Sequence, residues 1–168
     1  MQLEWMGRYR ELIRSIVYSG NMASRHLSSK LPLAPGIELT AQEYQTLEYL
    51  IEFQEENGHM NHISERLGIP QSSLSKGIKH LCELGLAERF RIAGNRKNVI
   101  PQPTALGREL YLSFAEMMKN RTHLGFFRLL ESVDDEAIAR VAEAMRDVTD
   151  ATYGKLNPPP LIPLDREE

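Results

Sequence analysis

The chain has 168 residues, 42% of them hydrophobic and 26% charged, which is an ordinary composition for a globular protein. No apolar run approaches the length of a membrane span, and the first residues lack the basic and then apolar pattern of a signal peptide. We therefore expect a cytoplasmic protein that makes no membrane contact. A single cysteine excludes an internal disulfide.

The distribution of charge is more informative than the formal net charge of −3. Residues 58–103 contain seven basic and three acidic side chains, a net charge of +4, so the rest of the chain carries −7. A basic segment within an acidic chain is typical of a protein that meets nucleic acid through one part of its surface.

The first predicted element is a long helix over residues 3–29, followed by a loop. Its apolar residues recur at helical spacing. They are Met6, Tyr9, Leu12, Ile13, Ile16, Val17, Ala23 and Leu27. Gly20 and Asn21 mark the place where this helix is expected to kink or break. The prolines and glycine of residues 31–36 predict a loop, which closes an N-terminal segment over 1–36.

The next helix begins at a capping box, Thr40-Ala41-Gln42-Glu43. In this motif the threonine side chain accepts from the backbone of the glutamate, and the glutamate side chain reaches back. The helix is expected to end near Asn57-Gly58. Its apolar residues at helical spacing predict that it supports the elements that follow.

Two short helices separated by a tight turn are predicted over residues 63–83. Apolar residues four apart share one face of the first helix, which Gly68 ends. Pro70 prevents helical continuation, and either Gln71 or Ser72 is available to cap the second helix.

The second of these helices has two distinct sides. One side is an apolar stripe that includes Cys82, which we expect to be a small buried hydrophobe. The opposite side is rich in hydrogen-bond donors and free of carboxylates until Glu83. It contains Ser72, Ser75, Lys76, Lys79 and His80. Such a face suits phosphate oxygens and base edges in a major groove.

A two-stranded ribbon is predicted after Gly85. Residues 86–92 alternate as a strand, Gly94-Asn95 is a hairpin signal, and residues 97–102 return as the second strand. The prolines at 101 and 103 cannot donate ladder hydrogen bonds, so the return strand is expected at a sheet edge.

Basic residues occur at both ends of this ribbon. Arg96 and Lys97 lie near its tip, where they would anchor it to DNA. Arg89 and Arg91 lie at its base and either meet DNA or pair with a neighbouring glutamate, Glu83 or Glu88.

Helices are also predicted beyond the ribbon, over residues 104–155. Thr104 caps the first, Gly125 marks a bend, and Asp134-Asp135 begins the last with the acidic first turn that the helix dipole favours. Residues 156–168 contain four prolines and predict an extended tail. The apolar stripes of the first and last helices would remain in water in a monomer, which favours a homodimer over packing within one chain.

Several segments together resemble the MarR family of bacterial transcription regulators. The resemblance is carried by residues 63–69, 73–81 and 84–89, by the wing residues 95–100, and by Thr104-Ala105-Leu106-Gly107. It implies a mainly α protein with a small β wing, in which a winged helix-turn-helix module is flanked by long dimerisation helices.

The chain also departs from the family pattern. The family often carries an aspartate where this chain has Asn95, and Pro101 and Pro103 replace branched or basic residues. The anchoring and length of the wing are affected by these changes, whereas the helix-turn-helix is not. The predicted module spans residues 37–103.

The predicted function is a homodimeric regulator of MarR type, a repressor that binds a palindromic operator in double-stranded DNA. Lys76 and Lys79 are assigned to phosphates and Arg96 with Lys97 to the wing contact. The residues expected nearest to bases are Ser72, Ser73, Ser75 and His80.

The resemblance further implies a small aromatic effector held between the dimer helices and the winged module. The candidate lining consists of Trp5, Tyr9, Tyr49, Phe53, Phe114 and Met117. A stripe of aromatic and methionine residues is more often plain core than a ligand pocket.

Other classes of function fit the sequence less well. A winged helix that binds proteins rather than DNA is the main alternative, because the whole chain is acidic. An enzyme is disfavoured, since no motif supplies a cofactor site and the serines near residue 73 lack a paired base and acid. The spacing of His59, His62 and Glu65 would hold a metal only with distortion, so no cofactor is expected. Burial of Cys82 argues against a redox sensor.

Overall fold

The structure is a computed structural model that describes residues 4–91 and 99–153. Within these ranges it is mainly helical, with two separate two-stranded antiparallel sheets, so the predicted fold class is confirmed. The chain divides into two compact units, residues 1–118 and 119–168, and each is described by itself.

The N-terminal helix is broken nearer to its start than predicted. A 3-10 turn over Glu4–Tyr9 contains a kink at Gly7, whose φ is 48° and ψ −132°. Helix α1 then runs over Arg10–Arg25 without interruption at Gly20, so the break predicted there was wrong. Glycine tolerates a helix interior at modest cost, whereas the positive φ at Gly7 ends a helix. None of the α1 residues is buried.

The loop predicted for residues 31–36 is instead a β-hairpin. Strand β1, Lys30–Ala34, pairs antiparallel with β2, Ile37–Thr40, and Gly36 supplies a φ of 77° at the turn. Pro32 lies opposite Glu38 in this pair. A proline is tolerated there because each strand of a two-stranded sheet is an edge, so the loop prediction was wrong.

The predicted capping box is confirmed at the start of helix α2, Ala41–Glu52. Thr40 Oγ1 accepts from the Glu43 backbone N at 3.3 Å, and Glu43 Oε2 accepts from Thr40 N at 2.8 Å. The helix ends earlier than predicted, because a 3-10 turn over Gln54–Glu56 and a left-handed Asn57 follow it.

The helix-turn-helix follows the predicted order. Helix α3, Met60–Leu67, ends at Gly68 with a φ of 64°, and helix α4 spans Gln71–Glu83. The N-cap of α4 is Pro70 and makes no side-chain cap bond, so the prediction of Gln71 or Ser72 as cap was wrong. The core that these helices share is apolar. Its most fully buried side chains are Leu39, Leu47, Ile63, Leu74, Ile78, Leu81 and Leu86.

The wing is a ribbon of β3, Ala87–Arg91, and β4, Val99–Pro103. Their antiparallel register places Phe90 opposite Ile100. The predicted hairpin tip, including Arg96 and Lys97, lies outside the described residues. Helix α5, Ala105–Met118, follows directly and belongs to the first unit.

The second unit is helical in its described part except for a short turn over residues 131–134. A π-helical turn over Lys119–His123 leads into α6, Leu124–Leu130, and α7 spans Asp135–Tyr153. Asp134 Oδ1 caps α7 by accepting from the Ala137 backbone N at 2.9 Å. Many large apolar side chains of this unit are exposed. They are Leu124, Phe126, Phe127, Leu129, Val133, Ile138, Val141, Met145 and Val148.

Candidate nucleic-acid interface

Burial fixes which side of α4 faces outward. Leu74, Ile78 and Leu81 are at most 1% exposed and anchor one side of the helix in the core. The opposite side is therefore presented to solvent. Its exposed side chains are Ser72, Ser75, Lys76 and Lys79. Four of the residues predicted to contact DNA thus lie together on one accessible surface, which we call the α4 face.

The α4 face carries free positive charge. Lys76 pairs with no carboxylate in the part of the chain that the structure describes. Lys79 Nζ lies 3.7 Å from Glu83 Oε1, and both side chains are more than half exposed. An exposed pair of this kind contributes at most about 1 kcal/mol, so it does not hold Lys79 away from a phosphate.

His80 differs from the other predicted contact residues. It is half-buried, and its Nδ1 lies 2.8 Å from Glu43 Oε1. A carboxylate only accepts, so Nδ1 carries the proton in this bond. Because Glu43 also accepts from Thr40, His80 ties α4 to the capping box of α2. Ser73 is half-buried as well. Base contacts by these two residues stay predictions.

An amide pair bridges the start of α3 and the start of α4. Gln71 Nε2 donates to Asn61 Oδ1 at 2.6 Å, and both residues are exposed. Sequence reasoning weighed Gln71 only as a helix cap. Its position as the first residue of the second helix was the available signal, since residues at that end of a recognition helix reach base edges.

The base of the wing adds two exposed arginines, Arg89 and Arg91. Arg89 lies close enough to the Cys82 thiol to influence its pKa, and the pairing of Arg89 with Glu83 or Glu88 stays a prediction. Burial raises the pKa of Cys82 above its usual value, although Arg89 opposes this effect. The cysteine is half-buried rather than fully buried as expected, and its protonated thiol is a poor nucleophile.

The candidate effector residues are not brought together in one pocket. Tyr49 stacks near Phe53, with ring centroids 4.9 Å apart, whereas Phe114 stacks on Tyr44 at 4.2 Å. Tyr44 and Tyr49 are five residues apart on α2, which places them about 140° apart around the helix. Trp5 is 75% exposed. The predicted lining therefore divides between separate surfaces of the first unit.

The remaining two candidates also lie apart. Tyr9 is exposed beside Arg8. Met117 lines an open groove of about 660 Å³ together with His80, Leu84 and the β1–β2 hairpin. This groove is a concave surface that adjoins α4.

Two negative findings apply to the described ranges 4–91 and 99–153. No helix in them is long and apolar enough to cross a membrane. No group of three or more His, Cys, Asp or Glu side chains in them is arranged to hold a metal ion.

Helices α3 and α4, the turn between them and the antiparallel ribbon define a winged helix-turn-helix protein. Residues 37–97 match the model of the MarR family. A search of curated protein sequences found no match. The segment that contains the helix-turn-helix and the wing is therefore similar to the MarR family.

Solved structures share this fold at low sequence identity. The DNA complex of MepR from S. aureus has a TM-score of 0.60 at 19% identity, over 86% of this chain and 96% of that chain. A MarR/EmrR family transcriptional regulator from Acinetobacter sp. ADP1 has a TM-score of 0.60 at 14% identity, over 88% of this chain and 96% of that chain. PcaV of Streptomyces coelicolor, in complex with its natural ligand, has a TM-score of 0.58 at 16% identity, over 90% of this chain and 99% of that chain.

Proposed function

We propose that the protein is a sequence-specific, DNA-binding transcription regulator that represses as a homodimer. The α4 face carries this proposal, because it joins the exposed charges of Lys76 and Lys79 to the hydroxyl groups of Ser72 and Ser75 on the outward side of the second helix. In a helix-turn-helix that helix enters the major groove. Lys76 and Lys79 then bind phosphates, while Ser72 and Ser75 lie nearest to bases.

The homodimer is supported by apolar surface that each unit leaves in water. Helix α1 has no buried residue, and Met6, Ile13 and Val17 line a shallow groove of about 370 Å³ along it. A second copy would cover this surface. A two-fold dimer presents two recognition helices one or more turns of DNA apart, so the operator is a palindrome.

Release by a small aromatic ligand completes the proposal. The open groove beside Met117 borders His80, which is joined to Glu43 of α2, so a ligand there would contact a side chain of the recognition helix directly. It would weaken operator binding only by preferring one arrangement of α4 over another. Operator affinity measured with and without phenolic ligands tests this step, and unchanged affinity across them contradicts it.

The main experiment selects binding sites from a pool of random DNA duplexes at two salt concentrations. We expect the parent chain to select a palindrome with a steep salt dependence. The Lys76→Ala/Lys79→Ala double variant removes two phosphate contacts, so the slope of log affinity against log salt should fall by about 2.

A matched double variant controls for lost charge. Arg140→Ala/Arg146→Ala also removes two exposed positive charges, but from α7. It should bind as the parent does. If the parent binds no duplex at low salt, or both double variants lose affinity equally, the assignment of the α4 face to DNA is wrong.

A further inference from the structure

The amide pair of Asn61 and Gln71 restricts what the Gln71 side chain can offer to DNA. One N–H of Gln71 Nε2 is used at 2.6 Å by Asn61 Oδ1. The amide keeps its second N–H as a donor and its Oε1 as an acceptor. Because Asn61 lies on α3 and Gln71 begins α4, the bond spans the turn and limits rotation of the glutamine.

One donor beside one acceptor matches a single purine edge in the major groove. Adenine presents the N7 acceptor and the N6 donor, whereas guanine presents two acceptors, N7 and O6. A free glutamine amide could turn both N–H groups toward guanine. Gln71 cannot do so while Asn61 holds one of them.

We propose that Gln71 reads an adenine in each operator half-site, and that Asn61 is the positioning residue that excludes guanine there. This inference depends on the proposed function, since it assumes that α4 enters the major groove. It adds a base identity and a pair of residues that the α4 face alone does not supply. Gln71 is exposed at the N-terminal end of α4, where side chains reach base edges.

The test compares operator duplexes that differ at one base pair. An operator selected by the parent chain is synthesised with each of the four bases at every half-site position, and the dissociation constants are measured. For the parent, one position should prefer adenine by about tenfold. Gln71→Ala should abolish that preference and leave the other positions unchanged.

Two substitutions of Asn61 separate positioning from mere packing. Asn61→Ala releases the N–H of Gln71 that Asn61 holds, so guanine should bind as well as adenine at that position. Asn61→Asp still offers an oxygen acceptor, so the adenine preference should return even though the added negative charge lowers affinity for every duplex. A residue that served only to pack α3 would not discriminate between bases in this way.

The control is Gln45→Ala, which removes another exposed glutamine, from α2. It should retain the parent's preference at every position. If the parent binds selectively but Gln71→Ala keeps every base preference, the inference is overturned and the proposed function stands. If the parent binds no duplex, both are overturned.

Discussion

Gly107 lies so close to Leu86 that a Cβ built on the glycine would stand 2.1 Å from the Leu86 carbonyl oxygen. The same carbonyl accepts from Thr104 N at 3.0 Å. Thr104 Oγ1 accepts from Gly107 N at 2.9 Å and donates to the Gly85 carbonyl at 2.7 Å. The segment Thr-x-x-Gly therefore fastens the start of α5 to the residues that join α4 to the wing.

Gly107→Ala should destabilise the protein by roughly 1–3 kcal/mol, because the methyl group meets backbone that cannot rotate away. Urea unfolding of parent and variant measures the change. Gly77→Ala is the matched control, since its Cβ would meet only Glu43 Cγ at an ordinary 3.5 Å. Alanine should stabilise α4 there by up to about 1 kcal/mol. Equal effects of the two substitutions would contradict the close approach.

Glu43 joins three groups, so its loss should cost more than that of an exposed neighbour. It accepts from Thr40 N, from Thr40 Oγ1 and from His80 Nδ1. Glu43→Ala should lower the free energy of unfolding by about 1–2 kcal/mol. Glu43→Gln should cost less, because glutamine also completes a capping box. Gln45→Ala, at an exposed site on α2, should leave the free energy of unfolding nearly unchanged. Equal changes for all three variants would contradict the coupling of Glu43 to Thr40 and His80.

The contrast between these residues shows what the sequence could predict. The Thr40 and Glu43 box and the stop at Gly68 are local signals, and the structure contains both. The bond from His80 to Glu43 joins residues 37 apart in sequence, and helical periodicity does not reveal which flank of α4 touches α2. The approach of Gly107 to Leu86 is likewise a tertiary contact.

The β1–β2 hairpin was missed, and the candidate effector residues lie apart within one chain, for related physical reasons. The prolines predict a loop, but Pro32 pairs at a sheet edge where no donor is needed. The effector residues were grouped because they are aromatic or sulfur-containing. Their placement depends on helix faces, and α2 directs its two buried tyrosines, Tyr44 and Tyr49, toward different neighbours.

Stability should fall at alkaline pH because burial raises the pKa of Tyr44 from 10.0 to about 12. Below pH 10 both the folded and the unfolded chain hold the Tyr44 proton, so Tyr44 makes stability depend on pH only above that value. Between about pH 10 and 12 the unfolded chain releases it first, and rising pH then favours unfolding. Tyr44→Phe should flatten this decline in urea unfolding experiments. The pKa of Tyr111 is also raised, by burial and to a smaller extent by Glu48, so part of the fall in stability with pH should remain in Tyr44→Phe. The prediction is contradicted if Tyr44→Phe loses stability with pH as steeply as the parent.

Removing the carboxylate beside Lys79 should strengthen DNA binding if the proposed function holds. Glu83 is the acidic residue of α4 and lies 3.7 Å from the Lys79 ammonium. Glu83→Gln removes a negative charge beside the phosphate contact of Lys79, so operator affinity should rise at low salt. Glu136→Gln breaks a comparable i,i+4 pair with Arg140 on α7 and should leave the affinity unchanged. A decrease in affinity for Glu83→Gln would contradict the role of Lys79.

The exposed apolar side of α1 gives a direct test of the homodimer. Val17 is 56% exposed and lines the groove along this helix, so in a dimer Val17→Asp would bury an unpaired charge. Sedimentation equilibrium should show the parent as a dimer and this variant shifted toward monomer. Ser15→Asp adds the same charge two residues away, about 160° around the helix, and should leave the dimer intact. Binding to both halves of a palindrome needs two recognition helices. The Val17→Asp variant should therefore bind a full operator no more tightly than a single half-site. A monomeric parent, or a Val17→Asp variant that remains dimeric, would contradict the assignment of α1 to a dimer interface.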